Sequence, residues 1–233
     1  MNPKPKISVV MPTFNEEQAL PLMVQEIRRH TEGLDCEILI VDSSRDDTPK
    51  IAERLGVKVI SQPPQGHGIA LRTAITSASG EFIITSDCDN TYPMDRIPDF
   101  LNLLSDEGYD MVAGNRLGLR DVRRAMPAAN LWANRAFALI VRLLYGIRTH
   151  DVTTGMFGLS RRLVHSIEWE TNYSFPAELI IRSALAGYRF KEVPIAYKLR
   201  VGEVTLNRWR SGKAYLRCFL KYRFGLKTPA GKL

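Results

Sequence analysis

Residues 7–44 read ISVVMPTFNEEQALPLMVQEIRRHTEGLDCEILIVDSS, and their pattern indicates the fold class. It begins and ends with short runs rich in Val, Ile and Leu, which is the composition of buried strands. Between these runs, apolar and charged residues recur at the period of an amphipathic helix. Two strands joined by a helix are the repeating unit of a parallel sheet, because parallel neighbours need a long crossover connection. The sequence therefore predicts an α/β protein.

The same alternation of strand and helix continues along the chain. Predicted strands cover residues 7–11, 37–42, 57–61, 82–87 and 111–113. Predicted helices cover residues 16–30, 48–55, 128–145 and a segment from the Gly-rich turn at 65–68 to about residue 80. We expect one Rossmann-like domain with a mostly parallel central sheet flanked by helices. Ligands of such sheets bind beyond the carboxyl ends of the strands, so the polar residues at these ends are the candidates for function.

Composition narrows the class of protein. The 233 residues are 45% hydrophobic and 24% charged, which is typical of a globular protein and excludes wholesale disorder. The three cysteines, at positions 36, 88 and 218, form no CxxC pair, so neither a disulfide framework nor a thiolate zinc site is expected. The amino terminus lacks the apolar core of a signal peptide. We therefore expect a cytoplasmic protein that does not span the membrane.

Basic charge is concentrated near the carboxyl terminus. The formal net charge is +7. Residues 200–233 include nine Lys or Arg residues and one Glu, for a net charge of +8, so residues 1–199 have a net charge of −1. We expect a domain over residues 1–205 and a basic amphipathic tail over 206–233. The apolar side of that tail is predicted to contain Leu206, Trp209, Leu216, Phe219 and Leu220. Such a helix can rest on anionic lipid, although a helix docked on the core or a nucleic-acid contact has the same composition.

Two carboxylates lie at the end of the strand predicted at 82–87. Asp87 and Asp89 are separated by the small Cys88, so both can turn towards one ion. Hard oxygen ligands without soft partners suit Mg²⁺ or Mn²⁺ better than Zn²⁺. A lone DxD motif is weak, since most such pairs are solvated loop acids or helix caps. Other strand ends add Phe14, Glu16 and Asp42, which could hold a nucleoside through an aromatic face and carboxylate acceptors.

The ordered motifs of this chain resemble the family 2 glycosyltransferases of GT-A fold. The motifs that carry this resemblance are PTFNEE at 12–17, VDSSRDDT at 41–48, GHGIA at 66–70 and DCDNTYP at 87–93. Later segments resemble the dolichol-phosphate mannose or glucose synthase branch, namely GNR at 114–116, MPAANLWANR at 126–135, DVTTGMFGLSR at 151–161 and VPIAYKLRVGEVTLN at 193–207. Each motif alone is weak, whereas the ordered set is specific.

The resemblance implies roles for individual residues. The implied donor-binding residues are Pro12, Phe14, Glu16, Asp42, Gly66, Ala70, Asp87 and Cys88. Asp87 and Asp89 are implied to hold Mg²⁺ or Mn²⁺ with the donor diphosphate, and Asp89 is a catalytic candidate for that reason. The candidates for binding the acceptor phosphate are Arg116, Arg124, Arg135 and Arg200, of which Arg200 is also placed in catalysis. The chain departs from the family pattern at Thr91, where a glutamine is usual, and at 205–207, where a lysine is missing.

The expected activity is inverting, metal-dependent transfer of a hexose from a GDP-mannose or UDP-glucose type donor to a polyprenyl or dolichyl phosphate. A phosphate acceptor needs no general base, whereas an acceptor sugar hydroxyl would need one, for which Glu178 or Asp151 is the first choice. More distant alternatives are a nucleotidyltransferase and a basic nucleic-acid-binding module. We expect a membrane surface as partner and no nucleic acid.

Overall fold

A seven-stranded sheet forms the centre of the protein, which a computed structural model describes at residues 7–119, 121–202 and 208–225. The strand order is β3-β2-β1-β4-β6-β5-β7. The strands are β1 Ile7–Thr13, β2 Cys36–Asp42, β3 Lys58–Ser61, β4 Phe82–Thr85, β5 Met111–Asn115, β6 Phe157–Ser160 and β7 Phe190–Pro194. All neighbouring strands pair in parallel except β6, which is antiparallel to both β4 and β5. The predicted fold class is confirmed.

Helices cover both faces of this sheet. They are α1 Leu20–His30, α2 Thr48–Arg54, α3 His67–Ser77, α4 Ile97–Ser105, α5 Val122–Ala125, α6 Ala128–Tyr145, α7 Arg161–Ser166, α8 Phe175–Leu185 and α9 Arg208–Phe224. Every residue of β1 is buried, and successive side chains alternate between two apolar clusters. Val10 joins the cluster under α3, whereas Val9 and Met11 join the cluster under α1. The site-bearing strand is thus fixed from both sides.

Two predicted boundaries differ from the structure near the strand ends. The helix expected from residue 16 begins at Leu20, because Asn15 has a φ of 57° and turns the chain after β1. The strand expected to reach residue 87 ends at Thr85. Asp87 therefore lies in the loop beyond β4, outside the ladder of the sheet.

The α9 helix packs on the protein through its aromatic residues. Tyr215 and Phe219 are buried, and the Tyr215 ring stacks on Phe137 of α6 with centroids 5.4 Å apart. The prediction that Phe219 belongs to an outward apolar face is therefore wrong, whereas Leu216 and Leu220 are exposed. Leu206 and the Trp209 side chain lie outside the described residues. Within the described ranges, no helix combines the length and apolar character needed to cross a membrane.

Candidate active site

The carboxyl ends of β1, β2 and β4 bring acidic side chains to one edge of the sheet. Glu16 follows β1, Asp42 ends β2, and Asp87 and Asp89 follow β4. This adjacency follows from topology, because β1 lies between β2 and β4 and all three run in parallel. The sequence prediction that these acids share one edge is therefore consistent with the strand order.

Arg200 links two of these acids. Its Nη1 donates to Asp89 Oδ2 at 2.7 Å, and its Nη2 donates to Glu16 Oε1 at 2.6 Å. The segment that carries Arg200 is held against the loop after β4, because Lys198 N donates to Thr91 O at 3.0 Å and Val201 N donates to Asp89 O at 2.9 Å. Arg200 is separated from Glu16 by most of the chain, yet the structure places its guanidinium between the two candidate subsites.

His67 is the cationic partner of Asp87. Its Nε2 lies 2.8 Å from Asp87 Oδ1, and the imidazole remains partly exposed at the first residue of α3. Gly66 precedes it with a φ of 113°, a conformation that favours glycine. Sequence reasoning missed His67, although the QGHG turn before a helix was visible. No sequence pattern links a histidine in that turn to a carboxylate twenty residues later.

The carboxylates of this edge differ in their electrostatic environments. Burial raises the pKa of Asp89, and the neighbouring charge of Asp87 raises it further. Burial opposes ionisation of Asp87 as well, but the charge and hydrogen bond of His67 outweigh it and lower the pKa of Asp87. Burial raises the pKa of Glu16 to about 7, although Arg200 acts in the opposite direction. Ionisation of Asp87 is therefore favoured, whereas burial opposes ionisation of Asp89 and Glu16.

The donor set at Asp87 and Asp89 fits a divalent cation. Both carboxylates offer hard oxygen ligands, and Asp89 is oriented by Thr91, whose N and Oγ1 donate to Asp89 Oδ1 at 3.0 and 2.5 Å. Within the described ranges, however, no three His, Cys, Asp or Glu side chains group so as to hold a metal ion. Phosphate or water oxygens would have to complete the coordination of an ion at the two aspartates.

The nucleoside candidates surround the ends of β1 and β2. Asp42 Oδ1 accepts hydrogen bonds from Thr13 Oγ1 at 2.7 Å and from Ser44 Oγ at 2.6 Å, which fixes the carboxylate. The Phe14 side chain is exposed and available for stacking, whereas Pro12 is buried inside β1. The predicted donor-binding Cys88 is buried in the apolar cluster under α1, so its side chain faces away from solvent.

The predicted floor beneath the donor is anchored by a residue that sequence reasoning missed. Asn172 Oδ1 accepts from Gly68 N at 3.0 Å and from Ile69 N at 3.3 Å, and its Nδ2 donates to Gln65 O at 2.8 Å. A Cβ at Gly68 would lie 1.9 Å from Asn172 O, so only glycine fits there. Gly66 and the buried Ala70 belong to this same turn and helix start.

Arg116 forms a buried salt bridge with Asp151. Its Nε and Nη2 donate to the two Asp151 oxygens at 2.7 and 2.9 Å, and Nη2 also donates to Thr153 Oγ1 at 2.6 Å. Tyr92 and Tyr197 flank the guanidinium at 6.0 and 5.2 Å. Arg116 and Asp151 are both buried, so Arg116 is not a free phosphate ligand and Asp151 is not a free base in this arrangement.

The remaining predicted residues lie elsewhere. Arg124 pairs with Asp121 at 3.9 Å, and Arg135 lies 5.6 Å from the Trp132 ring centroid on α6. Glu178 is completely buried and accepts from Thr171 N at 2.7 Å. It also accepts from Glu170 N at 2.9 Å, Thr171 Oγ1 at 2.6 Å, Arg182 Nη1 at 3.0 Å and Tyr222 OH at 2.9 Å. These partners indicate that Glu178 ties α8 to α9, so we do not retain it as a candidate base.

Comparisons with known proteins agree with the motif order. A family model described as Glycosyl transferase family 2 matches residues 8–167. The dolichyl-phosphate hexose transferase of Haloferax volcanii is 43% identical over 92% of this chain and 92% of that protein. A low-salt glycan biosynthesis hexosyltransferase of the same organism is 30% identical over 93% of this chain, which spans 53% of that protein.

The fold also matches a solved structure. Glucosyl-3-phosphoglycerate synthase of Mycobacterium tuberculosis, crystallised with Mn²⁺, uridine diphosphate and glucosyl-3-phosphoglycerate, superposes with a TM-score of 0.75. The match covers 96% of this chain and 81% of that one at 23% identity. At this identity the likeness shows the fold alone.

Proposed function

Because the chain belongs to glycosyltransferase family 2 and is a glycosyltransferase, we propose that it moves a hexose from a nucleotide-sugar to a polyprenyl or dolichyl phosphate. The name of the Haloferax volcanii relative supports the lipid phosphate acceptor, since identity of 43% extends over nearly all of both chains. The nucleotide-sugar donor is supported by the uridine diphosphate in the glucosyl-3-phosphoglycerate synthase crystals. A GDP-mannose or a UDP-glucose type donor is proposed.

One observation carries the choice of a phosphate acceptor. Apart from the nucleoside candidate Asp42, which accepts from two hydroxyl groups, each of the five carboxylates considered for the reaction is paired with a cationic side chain. Arg200 holds Glu16 and Asp89, His67 holds Asp87, Arg116 holds Asp151, and Arg182 holds Glu178. A hydroxyl acceptor would need one of them to take its proton, whereas a phosphate oxygen is anionic near neutral pH. This arrangement therefore favours an acceptor that needs no base.

We propose that Asp87 and Asp89 hold Mg²⁺ or Mn²⁺ together with the donor diphosphate. A bound divalent cation would neutralise charge that develops on the leaving diphosphate. The crystals of the similar synthase with Mn²⁺ support this cofactor. Phe14, Glu16 and Asp42 would contact the nucleoside, while His67 would keep Asp87 ionised and oriented.

Arg200 is proposed to orient the acceptor. Its Nη1 can release Asp89, which a divalent cation would then hold, and donate to a phosphate oxygen instead, while Nη2 stays on Glu16. An oxygen of the lipid phosphate then bonds to the anomeric carbon from the face opposite the diphosphate. The bond from that carbon to the diphosphate oxygen breaks, and its electron pair leaves with the diphosphate. A single displacement of this kind inverts the anomeric configuration.

The proposal extends to where the reaction takes place. A lipid acceptor places the enzyme at a membrane surface, which we propose to be the cytoplasmic face. Residues 1–205 would form the catalytic domain, and the basic tail over 206–233 would contribute to peripheral association. Nucleic acid is not part of the proposal, since it would leave the strand-end acids without a role.

A second candidate has one observation in its favour. The pKa of Glu16 is raised to about 7, which is the range of an effective general base at neutral pH. If Arg200 left Glu16, this carboxylate could take a proton from an acceptor hydroxyl. We rank this alternative lower because Glu16 matches a nucleoside-binding position of the family.

A donor screen tests the proposal. The protein is incubated with a short polyprenyl phosphate and each of several nucleotide-sugars, with Mg²⁺, with Mn²⁺ or with a chelator. We expect one or a few donors to yield a hexosyl lipid phosphate only when divalent metal is present. Full transfer in the chelator would refute the metal assignment, and absence of any glycosylated lipid with every donor and metal would refute the acceptor.

A further inference from the structure

The surface of α6 carries an apolar stripe that the protein itself does not cover. Trp132, Ala136, Leu139 and Leu143 follow one another at intervals of four, three and four residues, which places them on one face of the helix. All four are exposed, and Trp132 and Leu143 have relative exposures of 68% and 77%. The opposite face, with Leu131, Ala138 and Val141, is buried.

Exposed apolar side chains are concentrated on two packed helices. Of the eleven large apolar residues found exposed where exposure is described, six lie on α6 and α9, which the Phe137–Tyr215 and Phe137–Phe219 ring contacts join. Those six are Trp132, Leu139, Leu143, Leu216, Leu220 and Phe224. Soluble proteins normally scatter such side chains singly, and a group of them marks an interaction surface.

The charge of both helices is of one sign. The sequences of α6 and α9 contain no Asp or Glu, whereas α6 contributes two Arg residues and α9 contributes six Lys or Arg residues. Arg135 and Arg142 lie one heptad apart on α6, so both flank the same side of the apolar stripe. This combination fits an anionic lipid bilayer. The apolar side chains can enter the acyl region, and the basic side chains flanking them can contact the anionic headgroups.

The stripe begins near the candidate active site. Leu131, the neighbour of Trp132, belongs to a small apolar cluster that also contacts Tyr197. Tyr197 in turn lies against the Arg116 guanidinium. A bilayer in contact with the start of α6 would therefore lie near the segment that carries Tyr197 and Arg200.

We propose that the outer face of α6, with the basic α9 helix beside it, is the surface on which the protein docks on an anionic bilayer. This inference rests on the proposed function in one respect, namely that the bilayer contains the lipid acceptor. The docking itself is argued from the exposure, spacing and charge of the two helices. It assigns the main apolar contact to α6, to which α9 adds basic charge and the exposed Leu216, Leu220 and Phe224.

Vesicle sedimentation tests the docking surface. The stripe variant combines Trp132→Ser, Leu139→Ser and Leu143→Ser, and its control combines Leu22→Ser and Leu185→Ser, two exposed leucines on α1 and α8. We expect the stripe variant to bind vesicles of phosphatidylcholine and phosphatidylglycerol at least about tenfold more weakly at every salt concentration, because burial of three apolar side chains is lost. The control should bind like the wild type.

A second pair of measurements completes the test. Arg135→Ala with Arg142→Ala should weaken binding at low salt and have little effect at high salt, because salt screens exposed charges. Equal binding of the stripe variant and the wild type would overturn the proposal. So would binding of the wild type to a labelled oligonucleotide without binding to anionic vesicles.

Transfer to a short, water-soluble polyprenyl phosphate separates this inference from the proposed function. The stripe variant should transfer sugar to that acceptor as the wild type does, since no stripe residue lies among the strand-end acids. Stripe-dependent vesicle binding without any lipid glycosylation would refute the proposed acceptor and leave the docking surface standing.

Discussion

Acidic residues at the sheet edge lie against cationic side chains from other parts of the chain. Arg200 spans Asp89 and Glu16, and His67 lies against Asp87. The sequence predicted that Asp87, Asp89 and Arg200 would act together, because their motifs occur in family order. It could not predict that Arg116 is occupied by Asp151, since that pair depends on how two distant loops meet.

Replacement of Asp89 by Asn should abolish most turnover and leave the fold intact. The amide oxygen can still accept from Thr91, but the negative charge for a divalent ion is lost. Loss of one electrostatic catalyst typically costs about 3 to 4 kcal/mol, or about 10²- to 10³-fold in rate. The measurement is the initial rate of transfer with saturating metal. The matched control is Asp99→Asn, on the surface of α4, which should leave turnover unchanged. Normal turnover of a folded Asp89→Asn protein would refute the assignment of Asp89 as a metal ligand.

Removal of the Arg200 side chain should mainly impair use of the acceptor. A charge-assisted hydrogen bond contributes about 1.5 to 3 kcal/mol, so kcat/KM for polyprenyl phosphate should fall about 10- to 100-fold in Arg200→Ala. Steady-state kinetics with varied acceptor measure this loss, and Arg29→Ala, an exposed arginine of α1, serves as the control. An unchanged kcat/KM for the acceptor would exclude Arg200 from phosphate binding.

The Glu16 carboxyl should make stability depend on pH. Its pKa is raised from 4.5 to about 7, so the folded protein binds this proton more tightly than the unfolded chain does. The resulting stabilisation is complete below pH 4.5 and is lost as the pH rises to about 7. Glu16→Gln lacks this titration, so its free energy of unfolding should rise relative to that of the wild type over the same interval. Denaturant titrations of both proteins at several pH values measure the difference, and parallel curves would show that the pKa is not raised.

Elements of secondary structure were predictable where they are long and strongly patterned. The helix predicted at 128–145 has those bounds in α6, and the first three strands lie where the apolar runs predict them. The antiparallel β6 was not predicted, because four residues with Gly158 in the middle give no periodic signal. Its position depends on a close approach, since a Cβ at Gly158 would lie 3.0 Å from Leu104 of α4.

The α9 helix should contribute to the stability of the whole domain. Phe219 is 1% exposed and lies against Phe137, whereas its neighbour Leu220 is 44% exposed. Phe219→Ala should therefore cost about 3 to 5 kcal/mol, and Leu220→Ala should cost less than about 1 kcal/mol. Chemical denaturation of both variants gives these differences. Equal effects of the two substitutions would indicate that α9 is not docked as the structure shows.

At the scale of the whole molecule, the protein has two distinct charged regions. Acidic side chains lie at the carboxyl ends of the strands, and basic side chains lie on the α6 and α9 helices. The order of the sequence motifs predicted the family and the edge of the sheet at which the acids meet. The docking of α9 and the exposed stripe of α6 needed three-dimensional packing, because composition alone does not show which face of a helix is covered. Donor chemistry and lipid contact can therefore be tested on separate residues.

A competition between two lipids determines whether the acceptor is a phosphate or a hydroxyl group. The protein is given its preferred nucleotide-sugar, divalent metal, and equal concentrations of a short polyprenyl phosphate and the matching polyprenol, which differ only in the phosphate. Mass spectrometry of the products shows which lipid has gained a hexose. We predict glycosylation of the polyprenyl phosphate alone, since the carboxylates that could act as a base are paired. Transfer to the polyprenol with the phosphate left unmodified would show that the acceptor is a hydroxyl group.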